Sequence, residues 1–142
     1  MLTVASFPST PISLGLLCNF VSRFPPFDTF EFKHMTTTLR FQLETQCNLV
    51  AGYDDEIVGY LGWIRTTVAI AEAWVENRGP LTAVLENAAA AGVTVLVTSN
   101  PKYILPLIRQ AKVLHPNLSV YWKRQFVGGK HPMKRSVRKR LG

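Results

Sequence analysis

Apolar and polar residues recur with different periods along the first part of the chain, and each period predicts an element. Residues Ile12–Ser22 predict a short helix, because Pro11 supplies the fixed φ of a first helical turn and the pair Pro25–Pro26 prevents continuation. The remainder of residues 1–37 is predicted to be irregular. From Leu39 to Glu44 apolar residues alternate with polar ones, which is typical of a strand with one buried face.

The next segments extend this pattern into a predicted antiparallel meander. Residues Cys47–Tyr53 and Ile57–Ile64 are apolar enough for two strands, and the acidic residues 54–56 between them predict a turn. Residues Thr66–Val75 also favour a strand, although Ala71–Trp74 would tolerate a helix.

The second half changes to a helical period. Pro80 fits a first helical turn, and the following apolar residues fall on one helical face up to Ala91, where Gly92 predicts a left-handed C-cap. Residues Val93–Val97 predict a buried strand. The sequence Ser-Asn-Pro at 99–101 predicts the start of a helix that reaches Val113 and contains Pro106, so that either the helix is kinked or it begins near Leu105. Residues Leu118–Val127 predict the last strand.

Composition and charge divide the chain into a globular part and a basic end. The 142 residues are 47% hydrophobic, which suits one α/β domain over residues 1–129 and excludes a disordered chain. Residues 123–142 hold 8 of the 16 Lys and Arg residues and no acid, so the rest carries 8 − 9 = −1. The C-terminal tail 130–142 is therefore predicted to bind a polyanion or a protein partner through its basic residues, Lys130, Lys134, Arg135, Arg138, Lys139 and Arg140. A purely solubilising tail is the alternative.

The cysteine and hydropathy patterns indicate the cellular compartment of the protein. Cys18 and Cys47 form no CxxC and have no zinc-type spacing with histidine, so we expect free thiols, no metal site and a cytoplasmic protein. No apolar run approaches the roughly 18 residues that span a bilayer, so we expect no membrane association.

The predicted order of elements resembles the GNAT acetyltransferase superfamily. In that family a helix N-terminus meets the pyrophosphate of coenzyme A through the motif Gln/Arg-x-x-Gly-x-Gly/Ala. Residues Arg78–Ala83 read R-G-P-L-T-A, so that Arg78 and Ala83 match while Leu81 replaces the middle glycine. The resemblance implies a mostly antiparallel central sheet flanked by helices. It also implies acetyl-coenzyme A as the cofactor, held by Arg78, Gly79, Leu81, Thr82, Ala83 and Asn100. Because Leu81 is bulky and Pro80 lacks an N–H group, this binding is predicted to be weak.

Two further branches are similar to this sequence. Leu14-Gly15 and the segment from Gly59 to Trp63 resemble motifs of the toxin-activating lysine acyltransferases, although Phe27 stands where that branch has its catalytic histidine. The chain also looks like small phage-encoded proteins with a degenerate GNAT-like fold, which implies a place in the host cytoplasm or the virion.

Candidate catalytic residues follow from the chemistry of acyl transfer, which needs a base for the amine and a proton donor for the leaving thiolate. Glu72 and Glu76 are the candidate bases, on one face of the predicted fourth strand, and Tyr103 is the candidate donor beside Asn100. Each also has a structural interpretation: solvated carboxylates, a half-buried tyrosine and an N-cap asparagine.

Two functions are therefore predicted. The first is a small acyltransferase that uses acyl-coenzyme A weakly or has lost catalysis. The second is a non-enzymatic interaction protein that binds a nucleic acid, a host enzyme or another protein through its basic tail. A homodimer is a further hypothesis.

Overall fold

The computed structural model describes residues 1–124 and 135–140, with elements in the order β1-α1-α2-β2-β3-α3-β4-α4-β5-β6. The strands are β1 (Leu2–Ala5), β2 (Asn48–Tyr53), β3 (Glu56–Thr66), β4 (Ala90–Thr98), β5 (Ser119–Arg124) and β6 (Arg135–Arg140). The helices are α1 (Pro11–Val21), α2 (Phe32–Glu44), α3 (Val68–Val75) and α4 (Ile104–Leu114). These strands form one mixed sheet in chain order, so the predicted α/β class is confirmed.

The chain divides into two compact units, and β3, β4 and α4 each contribute residues to both. The first unit comprises Met1–Gly62 and Val95–Ala111. In it β1, β2 and β3 pair antiparallel, and α1 and α2 pack on Val50, Tyr60, Val95 and Val97 of the sheet. The helical part of this core consists of Leu17, Phe20, Val21, Met35, Leu39 and Leu43, all buried.

The second unit comprises Trp63–Thr94 and the chain from Lys112 onward. Strand β5 pairs parallel with β4, over Ala90–Val93 and Ser119–Trp122, and antiparallel with β6. Helix α3 packs against β5. The hydrophobic core of this unit consists of Ala71, Val75, Ala90 and Tyr121.

Capping and turn residues in the sequence predicted the positions of several elements correctly. Helix α1 begins at Pro11 after Thr10, whose hydroxyl oxygen accepts a hydrogen bond from the Ser13 N–H at 3.1 Å. The β2–β3 turn forms where the acidic residues predicted it, with Asp54 and Asp55 in left-handed conformations. Helix α4 begins at Ile104, which confirms the alternative that the helix starts close to Leu105 and leaves Pro106 in its first turn.

Three predicted elements are wrong. Residues 39–44 are the end of helix α2, which buries Met35, Leu39 and Leu43 at a spacing of four, so the alternation of period two was coincidental. Residues 68–75 are helix α3, capped by Thr67, whose oxygen accepts from the Ile70 N–H at 3.1 Å.

The helix predicted over residues 81–91 is also absent. This part of the chain is irregular up to Ala89, and β4 starts at Ala90. Gly92 is therefore a strand residue and not a C-cap. A Cβ at Gly92 would lie 2.5 Å from Leu81 Cδ2, so the glycine provides the space that the Leu81 side chain fills.

Two findings concern the chain ends. Strand β1 was not predicted, because four residues with weak alternation carry little signal. Arg135–Arg140 of the predicted tail forms strand β6 rather than a short helix, while Lys130 and Lys134 lie outside the described residues. Within the described ranges, no helix is both long and apolar enough to cross a bilayer.

Candidate functional site at the β4–α4 junction

The connection from β4 to α4 is the place where this topology offers a binding site. Strand β4, helix α4 and strand β5 form a β–α–β unit, because β5 runs parallel to β4. In such units ligands bind beyond the carboxyl end of the first strand, where the helix N-terminus favours negative charge. Residues Ser99–Tyr103 occupy this position and include a single 3-10 turn at Pro101–Tyr103.

Hydrogen bonds fix the backbone of this junction. The Ser99 N–H donates to the Val58 carbonyl at 2.8 Å, which ties the end of β4 to β3. Asn100 then turns the chain: its side-chain oxygen accepts from the Lys102 N–H at 3.0 Å, and its carbonyl accepts from the Tyr103 N–H at 3.1 Å. Two of the predicted site residues, Asn100 and Tyr103, are therefore brought together.

The junction is electropositive. Lys102 is exposed, and its Nζ lies 5.2 Å from the centre of the Tyr103 ring. Neither of the ion pairs found in the described part of the chain involves Lys102. The N-terminus of the 11-residue helix α4 adds a partial positive charge of about half a unit. An anionic group is therefore attracted to Ser99, Asn100 and Lys102.

The same junction offers few backbone donors to an anion. The N–H groups of Lys102, Tyr103 and Ile104 are already bonded to Asn100 or Pro101. Pro101 has no N–H group, and neither does Pro106 one turn later. An anion at this position would contact the exposed side chains and the helix dipole, with fewer N–H contacts than a glycine-rich loop supplies.

The segment predicted to hold the pyrophosphate lies elsewhere, in the second unit, and no helix begins there. Arg78 Nε donates to Glu76 Oε2 at 2.6 Å in an exposed ion pair. The Thr82 carbonyl accepts from the Thr66 hydroxyl at 2.6 Å, and Leu81 fills the space over Gly92. The predicted set Arg78, Gly79, Leu81, Thr82 and Ala83 therefore belongs to the irregular connection between α3 and β4, and its placement at a helix N-terminus is wrong.

The two candidate bases lie on a helix and not on a strand face. Glu72 is in α3, and its Oε1 accepts from the buried Tyr121 hydroxyl at 3.3 Å. Glu76 follows one turn later as the C-cap, where it pairs with Arg78. Both carboxylates thus have structural partners, and their catalytic role stays a prediction.

Sequence reasoning missed Ser99 and Lys102 as members of the site. The signal was present, because Ser-Asn-Pro was interpreted as a capping segment and Asn100 caps the 3-10 turn that precedes α4. Asn100 was given a binding role, but Ser99 and Lys102 were not, because the pyrophosphate was assigned to the helix predicted at residue 81. Only the parallel pairing of β4 with β5 shows which helix start lies in the β–α–β unit.

A second polar cluster, Trp63, Arg65 and His115, was also missed. The Trp63 and His115 rings meet edge to face at 5.5 Å. The Trp63 indole N–H and the Arg65 Nε are buried without a hydrogen-bond partner in the described part of the chain. Burial, and secondarily the positive charge of Arg65, lower the pKa of His115. No group of three potential metal-ligating side chains occurs among the residues described.

Solved structures with the same arrangement of elements are GNAT proteins. One is the GphF GNAT-like decarboxylase in complex with isobutyryl-CoA, with a TM-score of 0.66 and 16% identity over 90% of this chain and 67% of that chain. Another is the loading GNATL domain of CurA from Lyngbya majuscula, with a TM-score of 0.63 and 9% identity over 94% and 71%. A third is a GNAT family acetyltransferase from Brucella melitensis in complex with acetyl-CoA, with a TM-score of 0.56 and 10% identity over 90% and 78%.

These likenesses show that the chain has the GNAT fold, as its sequence predicted. No protein-family model and no curated protein matches the sequence.

Proposed function

We propose that this protein binds an acyl-coenzyme A thioester weakly at the β4–α4 junction, with N-acyl transfer reduced or lost. The observation that carries this proposal is the position of the electropositive Ser99–Tyr103 segment at the start of α4 in a β–α–β unit of a GNAT fold. Ser99, Asn100 and Lys102 would hold the pyrophosphate. Acyl-coenzyme A, when bound, would supply an acyl group activated as a thioester and would leave as the free thiol.

The expected weakness has a physical cause. A hydrogen bond to a charged group contributes about 1.5–3 kcal/mol, and at this junction three backbone N–H groups are already engaged internally. Electrostatic attraction by Lys102 and the helix dipole replaces only part of that energy, because the Lys102 side chain is exposed to solvent.

Calorimetry with acetyl-coenzyme A tests the binding. We expect a dissociation constant of about 0.1–1 mM for the unaltered protein, and a weakening of about fivefold, close to 1 kcal/mol, for Lys102→Met. Lys112→Met is the matched control, because Lys112 lies in the last turn of the same helix. Absence of heat at millimolar ligand, or equal losses in both variants, would contradict the proposal.

Catalysis is tested separately. Tyr103 is half-buried at the junction and is the proposed donor to a leaving thiolate, while Glu72 and Glu76 are the proposed bases. In an assay for thiol release with a panel of amines, we expect a slow reaction that Tyr103→Phe lowers further, with acetyl-coenzyme A affinity unchanged. Rates equal to the buffer reaction would leave a binding protein without catalysis.

The second candidate function is an interaction protein that uses its basic C-terminal segment. Strand β6 supports it, since four of its six residues, R-S-V-R-K-R, are basic and the strand occupies the last position of the sheet order. An edge strand of this composition attracts polyanions through counterion release.

A further inference from the structure

A groove of about 420 Å³ lies in the first unit, between helix α1 and the strands β1 and β2. Leu16, Asn19 and Phe20 of α1 form its helical wall, and Arg23 lies just beyond the end of the helix. This volume falls within the range of small-molecule sites, which is roughly 300–1,000 Å³.

Small side chains on the sheet create the groove. Thr3 lies directly opposite Gly52, and Ala5 lies opposite Val50, so that all four face α1 from the same side of the sheet. Thr3, Ala5 and Gly52 have small side chains or none, so they leave space between the sheet and the helix. Beyond them Phe7, Phe20 and Ile57 give the groove apolar surface.

Opposite charges line this groove without pairing with each other. Arg23 follows the C-terminus of α1, and Asp55 and Glu56 lie at the β2–β3 turn. All three are exposed, and no ion pair joins them within the described residues. Asp55 has a φ of 63°, which is a left-handed turn conformation. Its short side chain keeps the carboxylate close to the backbone of this turn.

We propose that the groove binds a small zwitterion with an apolar body. Its ammonium group lies at Asp55 and Glu56, its apolar ring lies on Phe20 and Ile57, and its carboxylate lies at Arg23. The arginine fork matches a carboxylate with two parallel hydrogen bonds, and each carboxylate of the turn accepts from an ammonium group. This binding site is separate from the one proposed for acyl-coenzyme A and does not depend on it.

The charges that line the groove favour this occupant over a singly charged one. A neutral or cationic ligand would leave Arg23 uncompensated beside it, and an anion would face the two acids of the turn, where like charges repel. Only a molecule with both charges at separate ends meets all three side chains with the favourable sign.

Nuclear magnetic resonance titration with 4-(aminomethyl)benzoate tests the proposal, with 4-methylbenzylamine and 4-methylbenzoate as single-charge analogues. We expect the zwitterion to bind with a dissociation constant of about 1–5 mM, and each analogue about fivefold more weakly. Arg23→Gln should reduce the zwitterion to the affinity of the amine, and the double change Asp55→Asn with Glu56→Gln should reduce it to the affinity of the acid.

A variant that fills the groove separates this site from nonspecific binding. Ala5 is exposed, so Ala5→Phe should fold with a normal melting temperature and abolish the shifts caused by all three probes. Ala69→Phe on the exposed side of α3 is the matched control and should leave them unchanged. No binding at about 20 mM, equal affinity for the three probes, or undiminished binding by the Ala5→Phe variant would each overturn the proposal.

Discussion

At the residue scale, Gly62 is required by a buried hydrogen bond. The Tyr60 hydroxyl donates to Gln42 Oε1 at 2.6 Å, and both side chains are fully buried. Burial raises the pKa of Tyr60, so the hydroxyl keeps its proton and acts as the donor. A Cβ at Gly62 would overlap the Gln42 amide and contact the Tyr60 ring.

We therefore expect Gly62→Ala to lower the free energy of unfolding by about 1–3 kcal/mol, because the buried amide loses its place and its partner. Gly15→Ala is the matched control. A Cβ there meets nothing within 4 Å, so the same change in helix α1 should stabilise the protein by up to about 1 kcal/mol. Urea unfolding measures both, and effects of equal sign would contradict this account.

His115 gives a prediction about pH. Its pKa lies below the ordinary value of 6.5 because of burial and the charge of Arg65. As the pH falls below 6.5, the unfolded chain takes up a proton that the folded imidazole resists, so stability falls with pH. We expect His115→Gln to remove part of the loss of melting temperature between about pH 7.5 and pH 5.5. His34→Gln, at an exposed histidine, is the control; a pH dependence unchanged in His115→Gln would refute the prediction.

At the scale of elements, the N-cap of α3 favours the helical conformation in a segment whose sequence suits either a helix or a strand. Residues Val68–Val75 are rich in β-branched and apolar side chains, which favour a strand. The Thr67 oxygen compensates by accepting from the Ile70 N–H. Thr67→Ala should therefore cost about 1 kcal/mol of stability, whereas Thr67→Ser keeps the oxygen and should cost much less. Equal losses in the two variants, measured by urea unfolding, would exclude the cap as the cause.

For the whole molecule, the uneven charge predicts salt-dependent binding of polyanions. About five basic residues of the segment 130–142 should contact phosphates, so binding to duplex DNA should weaken with a slope of log K against log salt of about −4 to −5. Neutralising four of them should make that slope shallower by about 3–4 units. This variant combines Arg135→Gln, Arg138→Gln, Lys139→Gln and Arg140→Gln.

Fluorescence anisotropy at several salt concentrations measures this effect. The matched control removes four charges elsewhere, with Lys33→Gln, Arg40→Gln, Arg109→Gln and Lys112→Gln. Equal slopes in the two variants would show that net charge, and not the C-terminal segment, governs binding. Truncation after Gly129 is a poorer test, because it also removes the strand that pairs with β5 and should destabilise the second unit.

The sequence alone determined the features that depend on neighbouring residues. Three features have their capping or turn residues within a few positions: helix α1, the β2–β3 turn and the helix start near Ile104. The interactions that stabilise them are therefore largely local. The sequence also predicted the GNAT fold, which the solved structures support, although the elements assigned to residues 66–75 and 81–91 were wrong.

Only the tertiary structure decided the elements whose residues suit two periods. Ala90 and Ala91 have the highest helix propensity, yet they are buried as a strand because β5 offers hydrogen bonds to them and Tyr121 packs in the same core. Sequence could not foresee this, since these partners lie about thirty residues away. The same pairing moved the candidate cofactor site from Arg78–Ala83 to Ser99–Tyr103, because a helix start in a β–α–β unit is defined by its parallel strands and not by its own residues.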